Sequence, residues 1–486
     1  MAESQRRRIV PILLGLLVLA GAAFGLFRYK NQPPQLREPN YFSYYQTQDK
    51  NPAGKVGVLV TELIMPEDNR PADYYNISLK SLQYIPWPFR IFATADRGVV
   101  LLDEIKFYEF QEFKPTKLVD LHGSERDVDG IRYLEKYHRG EVKWVSPDPR
   151  QHLDHGYFLL TTRKQGIPTI SAKLMTKARV FYYGHGFVNH KLPHESGMKL
   201  LAARTLERVR AKYGDIPWRV ATSDNFGILE DAITELLDSG IDTLVIAPSV
   251  PIYSHHEEFN GSFRHAFADI ARWEQAKGKK IKVIIAPQLG DFPVLRLAYL
   301  NMLKDRLDSL PKGKDIDVKV ALSVHGMPWD FVPDEAWLQL APAYRDALLK
   351  EAEVMLAGYD FGRREVVVAQ DHFADPVNNP KGRYLSTNKA FKDGIAAGFD
   401  YVINLPIEFF VENTDTMFSH AMFNFEGFKG FDRYAQVDYS DWSVPYTREF
   451  VEGGTRIIYN GLPVGRYSEP IIEAHFRAID SVLARR

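Results

Sequence analysis

The chain has 486 residues, a formal net charge of −1 and no cysteine. This length predicts two or three domains, and the lack of cysteine excludes disulfides, thiol catalysis, cysteine-based zinc sites and iron–sulfur clusters. The near-neutral charge, without a basic stripe interleaved with aromatic residues, gives no indication of nucleic-acid binding. Any metal ion would therefore be held by histidine, carboxylate or other oxygen ligands.

The amino-terminal segment, residues 1–30, predicts a membrane anchor or an export signal. Three arginines, residues 6–8, precede an uncharged stretch over residues 9–27, close to the roughly 20 apolar residues that span a bilayer. The small residues at 20–22 leave a cleaved secretory signal open as the alternative. We expect a single-pass anchor in the cell membrane, with the bulk of the chain periplasmic or otherwise extracytoplasmic. Residues 31–54, rich in Pro, Asn, Gln and Tyr, predict a linker.

Residues 55–175 predict a separate accessory region that is mainly β. It contains short runs of apolar and β-branched residues with few helical patterns between them. These predicted strands lie near residues 56–60, 89–93, 99–102 and 157–162. The region carries no functional motif, and a protein partner could bind there.

The rest of the chain predicts two α/β lobes that arose by internal duplication, lobe 1 over residues 176–312 and lobe 2 over residues 313–486. Strands alternate with helices, and the strands are continuously apolar, which indicates a parallel sheet covered on both faces. In each lobe one strand ends in proline, at Pro248 and at Pro406. The expected fold class is α/β: two tandem parallel-sheet βαβ lobes with a cleft between them, preceded by the β-rich region and one transmembrane helix.

A histidine follows the first predicted strand of each lobe, His185 in Gly184-His185-Gly186 and His325 in Ser323-Val324-His325-Gly326. Ligands of open α/β sheets bind at the carboxyl ends of the strands, and a following glycine permits a sharp turn there. Both histidines are therefore candidates for chemistry. A strand followed by His-Gly also occurs in serine esterases, but the chain has no Gly-x-Ser-x-Gly elbow.

The loops after the two proline-ended strands carry further polar residues. In lobe 1, His255 and Glu257 would share the sheet edge with His185 and could hold a divalent first-row metal; the alternative is that they are merely solvated. In lobe 2, Asp415 could form a proton-transfer pair with His325. The alternative for Asp415 is a helix cap.

Two motifs of lobe 2 resemble those of the ferrochelatases. The stretch from Ser323 to Pro328 resembles their Ser-x-His-Gly-hydrophobic-Pro motif, and the stretch from Leu405 to Met417 resembles a second motif that carries a catalytic Glu. Asp415 occupies the position of that Glu, and Asn413 replaces a nearby His of the family. Lobe 1 is more similar to the small cobalt and nickel chelatases of the same class II chelatase superfamily, which hold metal with a pair of histidines.

The resemblance covers about residues 176–486 and implies insertion of a divalent metal, Fe, Co or Ni, into a tetrapyrrole without a nucleotide cofactor. By this resemblance, His325 would accept the pyrrole protons or hold the incoming metal, and Asp415 with Glu412 would relay those protons. The metal would be bound or delivered by His185 and His255, with Glu257 as an outer partner. The hydrophobic cleft would be lined by Trp329, Phe409 and Phe410. The alternative is a membrane-tethered metal or tetrapyrrole carrier without turnover.

Overall fold

The structure is a computed structural model, and α/β lobes account for most of what it describes. It describes residues 2–30, 49–62, 87–88, 91, 99–101, 141–145, 157–161, 194–223, 226–253, 258, 261–326, 342–371, 385–413, 416, 424–425, 427–431 and 443–486. The helices are α1 (Ala2–Lys30), α2 (His194–Tyr213), α3 (Phe226–Asp238), α4 (Phe263–Lys277), α5 (Pro293–Ser309), α6 (Pro342–Ala357), α7 (Thr387–Ala396) and α8 (Glu469–Leu483). The strands are β1 (Val56–Glu62), β2 (Val99–Leu101), β3 (Glu141–Val145), β4 (Tyr157–Thr161), β5 (Trp218–Thr222), β6 (Thr243–Pro248), β7 (Lys282–Ile285), β8 (Val318–His325), β9 (Arg364–Asp371), β10 (Tyr401–Pro406), β11 (Arg448–Glu452) and β12 (Thr455–Tyr459).

Helix α1 covers the segment in which the sequence predicts a membrane anchor. Within the part of the chain that the structure describes, no helix combines the length and hydropathy needed to cross a membrane. The transmembrane helix stays a prediction from the sequence.

The sheet of lobe 1 is parallel and has the order β5-β1-β6-β7. Strand β1 is a central strand, with Val58 opposite both Trp218 of β5 and Val245 of β6. This corrects the predicted boundary, which assigned residues 56–62 to the accessory region. The reason is burial: all seven residues of β1 are buried, and an uninterrupted apolar run is what a strand covered on both faces requires. The first strand that the sequence predicts for lobe 1, near residues 177–183, lies outside the described residues.

The sheet of lobe 2 repeats this order as β9-β8-β10-β12 and adds β11 as an antiparallel edge strand. Hydrogen bonds beyond the strand ends match as well. The Ser249 amide donates to the Thr61 carbonyl over 2.8 Å, as the Ile407 amide donates to the Ser323 carbonyl over 2.9 Å. Strand β8 of lobe 2 therefore corresponds to β1, and the repeat unit of lobe 1 begins near residue 55.

Both faces of the lobe 1 sheet are covered by helices, and one of these helices comes from the far end of the chain. Val58 and Val60 pack against α2 and against α8, which contributes Ile479 and Val482. Burial of each such aliphatic side chain contributes roughly 1.5–3 kcal/mol to folding. Helix α8 follows the last strand of lobe 2 in sequence, so its packing on lobe 1 joins the two lobes. A second core cluster, containing residues of both sheets such as Leu59 and Val320, runs across the lobes.

The predicted accessory region contains a small antiparallel sheet of order β2-β4-β3. Strands β2 and β4 lie where the sequence predicts strands, near residues 99–102 and 157–162. Strand β3 was not predicted, and Ile91 is helical although the sequence predicts a strand over residues 89–93. The region therefore has β structure, but its first predicted strand belongs to lobe 1.

Candidate functional site

His325 ends the central strand β8 of lobe 2, and neighbouring groups hold its backbone on both sides. Its amide donates a 2.9 Å hydrogen bond to Oε2 of Glu408, and the amide of Gly326 donates over 2.7 Å to the carbonyl of Asp371. The imidazole is partly exposed and meets the Phe409 ring edge-on, with the ring centroids 6.0 Å apart. The histidine of the first ferrochelatase-like motif is thus fixed at the carboxyl edge of the sheet with a ring that can reach a ligand.

The carboxyl group of Glu408, which was not among the predicted site residues, lies against this histidine. Part of the residue reaches solvent, but its Oε1 is inaccessible and has no hydrogen-bond partner among the described residues. Burial raises the pKa of Glu408 to about 7, against the opposing effect of the Arg345 guanidinium and the hydrogen bond from His325. The carboxyl group can therefore change its charge near neutral pH beside the candidate proton acceptor. Its position two residues after the strand-ending Pro406 was the available signal in the sequence.

Two buried tyrosines hold the loop that carries Glu408. The Tyr344 hydroxyl of α6 donates to the Ile407 carbonyl over 2.6 Å, and the Tyr299 hydroxyl of α5 donates to the Phe409 carbonyl over 3.0 Å. Buried polar groups require such partners, so the two bonds satisfy the tyrosines and fix the loop backbone together. Of the two phenylalanines predicted to line a cleft, Phe409 contacts the His325 ring, whereas Phe410 is packed in the core shared by the lobes.

Glu412, a predicted proton relay, is buried and engaged by hydroxyl groups. The Tyr459 hydroxyl lies 3.0 and 2.9 Å from its two carboxyl oxygens, and the Thr416 hydroxyl donates to Oε2 over 2.6 Å. Asn413 and Thr416 bond reciprocally over 3.0 Å, amide to side chain in each direction, in the pattern of a capping box. These contacts fix Glu412 and the backbone of Asn413 in the loop that follows β10.

The other predicted site residues, His185, His255, Glu257, Trp329 and Asp415, lie outside the described residues. Among the residues that are described, no group of three or more His, Asp or Glu side chains is placed to hold a metal ion. The base of the loop that carries His255 is described up to Tyr253. It is fixed there by the Gly290 amide, which donates to the Pro251 carbonyl over 2.7 Å, and by the Tyr253 amide, which donates to Gln288 Oε1 over 3.0 Å.

Comparison with known proteins gives a family and several distant structural similarities. A family model described as Ferrochelatase matches residues 192–438, just over half of the 486 residues. No curated protein gives a significant match. Among solved structures, the chain is similar to SirB from Bacillus subtilis with Fe3+, at 12% identity and a TM-score of 0.33 over 59% of this chain and 90% of that one. It is also similar to the cobalt complex of the sirohydrochlorin chelatase SirB from Bacillus subtilis subspecies spizizenii, at 10% identity and a TM-score of 0.31 over 58% and 88%.

A carbohydrate transporter solute binding protein from Chloroflexus aurantiacus in complex with D-glucose is similar at 12% identity, with a TM-score of 0.26 over 60% of this chain and 81% of that one. The family match is of a different kind, because it rests on the sequence. It includes His325 with its strand, the loop of Glu408 and the segment at Glu412. The chain belongs to the ferrochelatase family.

Proposed function

We propose that the protein inserts a divalent metal ion into a tetrapyrrole at the carboxyl end of β8, with His325 accepting the pyrrole protons. The observation that carries the proposal is the partly exposed imidazole of His325 at the end of a central parallel strand, with the ionisable carboxyl of Glu408 against its backbone. Membership of the ferrochelatase family supports metal insertion as the general reaction. The metal, Fe, Co or Ni, and the tetrapyrrole are both substrates.

The roles of His325 and Glu408 follow from the need to remove two protons from the tetrapyrrole. Insertion of a divalent ion displaces two N–H protons from the ring nitrogens, and a neutral imidazole at His325 can accept one proton at a time. An ionised carboxyl at Glu408 stabilises the resulting imidazolium, because opposite charges at short range favour the charged forms. Partial exposure of His325 lets it release the proton to solvent before the second transfer. The Phe409 ring gives the site an apolar wall, to which Trp329 would add.

The residues outside the described part of the chain complete the proposal. Asp415 would relay protons away from His325, with Glu412 near it. His185 and His255 would bind or deliver the metal ion from lobe 1, with Glu257 as their outer partner. These roles are implied by the family resemblance of the motifs and are tested by substitution.

A carrier that binds metal or tetrapyrrole without turnover is the second candidate. It is favoured by the contacts of the segment after Phe410, where Tyr459 and Thr416 hold Glu412, and where Asn413 and Thr416 bond reciprocally. Two positions of the second motif are thereby used to position the loop. A carrier would keep the bound metal or tetrapyrrole at this site and would release no product.

The test follows the absorbance of a porphyrin or of sirohydrochlorin mixed anaerobically with Fe²⁺, Co²⁺ or Ni²⁺ and the protein lacking residues 1–30. We expect insertion faster than with the free ions, and a loss of about 100-fold or more in His325→Ala, the usual contribution of a positioned proton acceptor. The control is Glu353→Gln, which changes an exposed side chain of α6 and should keep the rate. Stoichiometric binding without turnover would favour the carrier, and no acceleration with any ring would reject the enzyme.

Export is a separate proposal, supported by the arginines at 6–8 and the apolar residues 9–27. We propose that residues 1–30 place the bulk of the chain outside the cytoplasm, anchored to the cell membrane. A phosphatase that is active only after export, fused behind residue 54, should be active. An inactive but stable fusion would reject export, and the mass of the isolated chain would distinguish a retained anchor from a signal cleaved near residues 20–22.

A further inference from the structure

The carboxyl edge of the lobe 1 sheet contains an acidic side chain that has no role in the reaction proposed above. Glu62 is the last residue of β1 and is 0% exposed. Neither of its carboxyl oxygens has a hydrogen-bond partner in the described part of the chain. Buried polar groups of folded proteins are nearly always satisfied, and an ionised carboxylate buried without compensation is far more costly than a neutral group. Burial raises the pKa of this carboxyl well above its usual range, so without a ligand Glu62 holds its proton, and a cation that binds there would replace that proton.

A second unsatisfied oxygen lies at the same edge and on the same face. Ser249 follows β6, and the pairing of Thr61 with Pro248 puts Ser249 next to Glu62 in the register of the parallel pair. Ser249 is 1% exposed, and its hydroxyl has no hydrogen-bond partner among the described residues. The face is the one that α2 and α8 cover, because Val58 and Val60 of the same strand pack against those helices. No direct hydrogen bond joins Glu62 and Ser249, so a ligand between them would satisfy both.

Lobe 2 provides an internal comparison, since its strands correspond one to one with those of lobe 1. At the position of Glu62 it has Val324, which is buried in the core. At the position of Ser249 it has Ile407, which is also buried in the core. The fold therefore does not require a carboxyl at this position, and lobe 1 carries one at the stability cost of burying it.

The donor set indicates the class of ligand. It consists of a carboxylate and a hydroxyl, without sulfur or nitrogen, and such oxygen donors suit Mg²⁺ and Mn²⁺, which keep several waters when bound by one or two carboxylates. Lys199 acts on Glu62 only at a distance, because its ammonium group bonds to Glu195 over 2.6 Å and its side chain is 58% exposed. A cation bound at the edge would compensate the charge of Glu62 directly.

We propose that the carboxyl edge of the lobe 1 sheet binds a hard divalent cation of the magnesium or manganese class, with Glu62 as its charged ligand and the Ser249 hydroxyl beside it. The site belongs to the lobe 1 sheet, whereas His325 ends a strand of the lobe 2 sheet, and it takes a different class of ion from the proposed metal substrates. Thr61 and Ser223, whose hydroxyls also lack partners, point to the opposite face of the sheet by the same register and are not part of the ligand set.

The test uses the full-length chain, treated with EDTA and kept free of tetrapyrrole. Titration with Mn²⁺, followed by the loss of the free-ion electron paramagnetic resonance signal, should show a site from which Mg²⁺ displaces Mn²⁺. The variant Glu62→Gln keeps the shape of the protonated acid and should weaken Mn²⁺ binding at least tenfold. Asp269→Asn is the matched control, because Asp269 is a buried carboxyl of the same lobe that already bonds to Arg272, and it should leave binding unchanged.

Thermal unfolding adds a second readout. Ligand that binds only the folded state raises the unfolding midpoint, so Mg²⁺ should raise that of the unsubstituted protein but not that of Glu62→Gln. Ser249→Ala, which removes only a hydroxyl, should weaken Mn²⁺ binding at least threefold and serves if Glu62→Gln does not fold. Absence of Mg²⁺-displaceable Mn²⁺ binding, or equal binding by Glu62→Gln, would overturn the proposal. Because no tetrapyrrole is present, that result would leave the reaction at His325 untouched.

Discussion

Replacing Glu408 by glutamine should remove a pH-dependent loss of stability that this residue imposes on the folded protein. Its pKa is raised from the ordinary value of 4.5 to about 7, chiefly by burial. Since the folded-state pKa lies above the unfolded value, the stabilising contribution is full below pH 4.5 and is lost as the pH rises through 7. A shift of one pKa unit corresponds to about 1.4 kcal/mol, so the loss amounts to about 3 kcal/mol, as an upper value because part of the residue reaches solvent.

Denaturant unfolding at pH 5, 6, 7 and 8 measures this effect. Glu408→Gln resembles the protonated acid, so its free energy of unfolding relative to the unsubstituted protein should increase by up to about 3 kcal/mol between pH 5 and 8. The exposed Glu353, substituted in the same way, should show a difference that does not change with pH. A constant difference for Glu408→Gln would refute the argument that this carboxyl is buried and ionises near neutral pH. The pH profile of metal insertion by Glu408→Gln should also lose an inflection near 7.

Three further predictions concern the framework of the two lobes. His475 of α8 is buried, and burial lowers its pKa from 6.5 to about 4. The stabilising contribution of the neutral imidazole is complete above pH 6.5 and is lost as the pH falls through 4. His475→Gln should therefore remove about 3 kcal/mol of the loss in unfolding free energy that acid causes, as measured by denaturant unfolding. An unchanged loss at low pH would contradict this. Tyr344→Phe leaves the buried Ile407 carbonyl without its hydroxyl donor and should cost about 1–3 kcal/mol in denaturant unfolding and slow metal insertion. Gly290→Ala would place a Cβ 2.6 Å from the Pro251 carbonyl and should destabilise the fold by about 1–3 kcal/mol; a neutral result would show that this loop can move.

The strands and the residues that end them could be predicted from local patterns. Apolar runs ending in Pro248 and Pro406 predicted β6 and β10, and the Ser-x-His-Gly motif predicted that His325 ends a strand at the carboxyl edge. Each of these features depends on a few neighbouring residues, so the sequence contains the whole signal. The apolar run at residues 56–60 was also recognised as a strand, but its sheet depends on residues more than 150 positions away.

The candidate site likewise combines residues that the sequence identifies with contacts that only the folded chain creates. The residue types at His325 and Glu412 were visible as parts of a motif, but one of the two hydroxyl partners of Glu412, that of Tyr459, comes from 47 residues away. Glu408 stands in the loop after β10, and its pKa is raised because the folded chain buries its carboxyl group. Tyr299 and Tyr344 hold that loop against α5 and α6, and this contact could not be read from the sequence.

By itself, the amino-acid order determined that this protein has two similar α/β halves, a histidine at a strand end and no cysteine chemistry, because periodicity, turns and composition are local properties. Only the tertiary structure decided that β1 leads lobe 1, that the last helix returns to cover it, and that Glu62 and the Oε1 atom of Glu408 are withdrawn from water. Burial of a carboxyl depends on which distant segments pack around it, and that information becomes available only when the chain has folded.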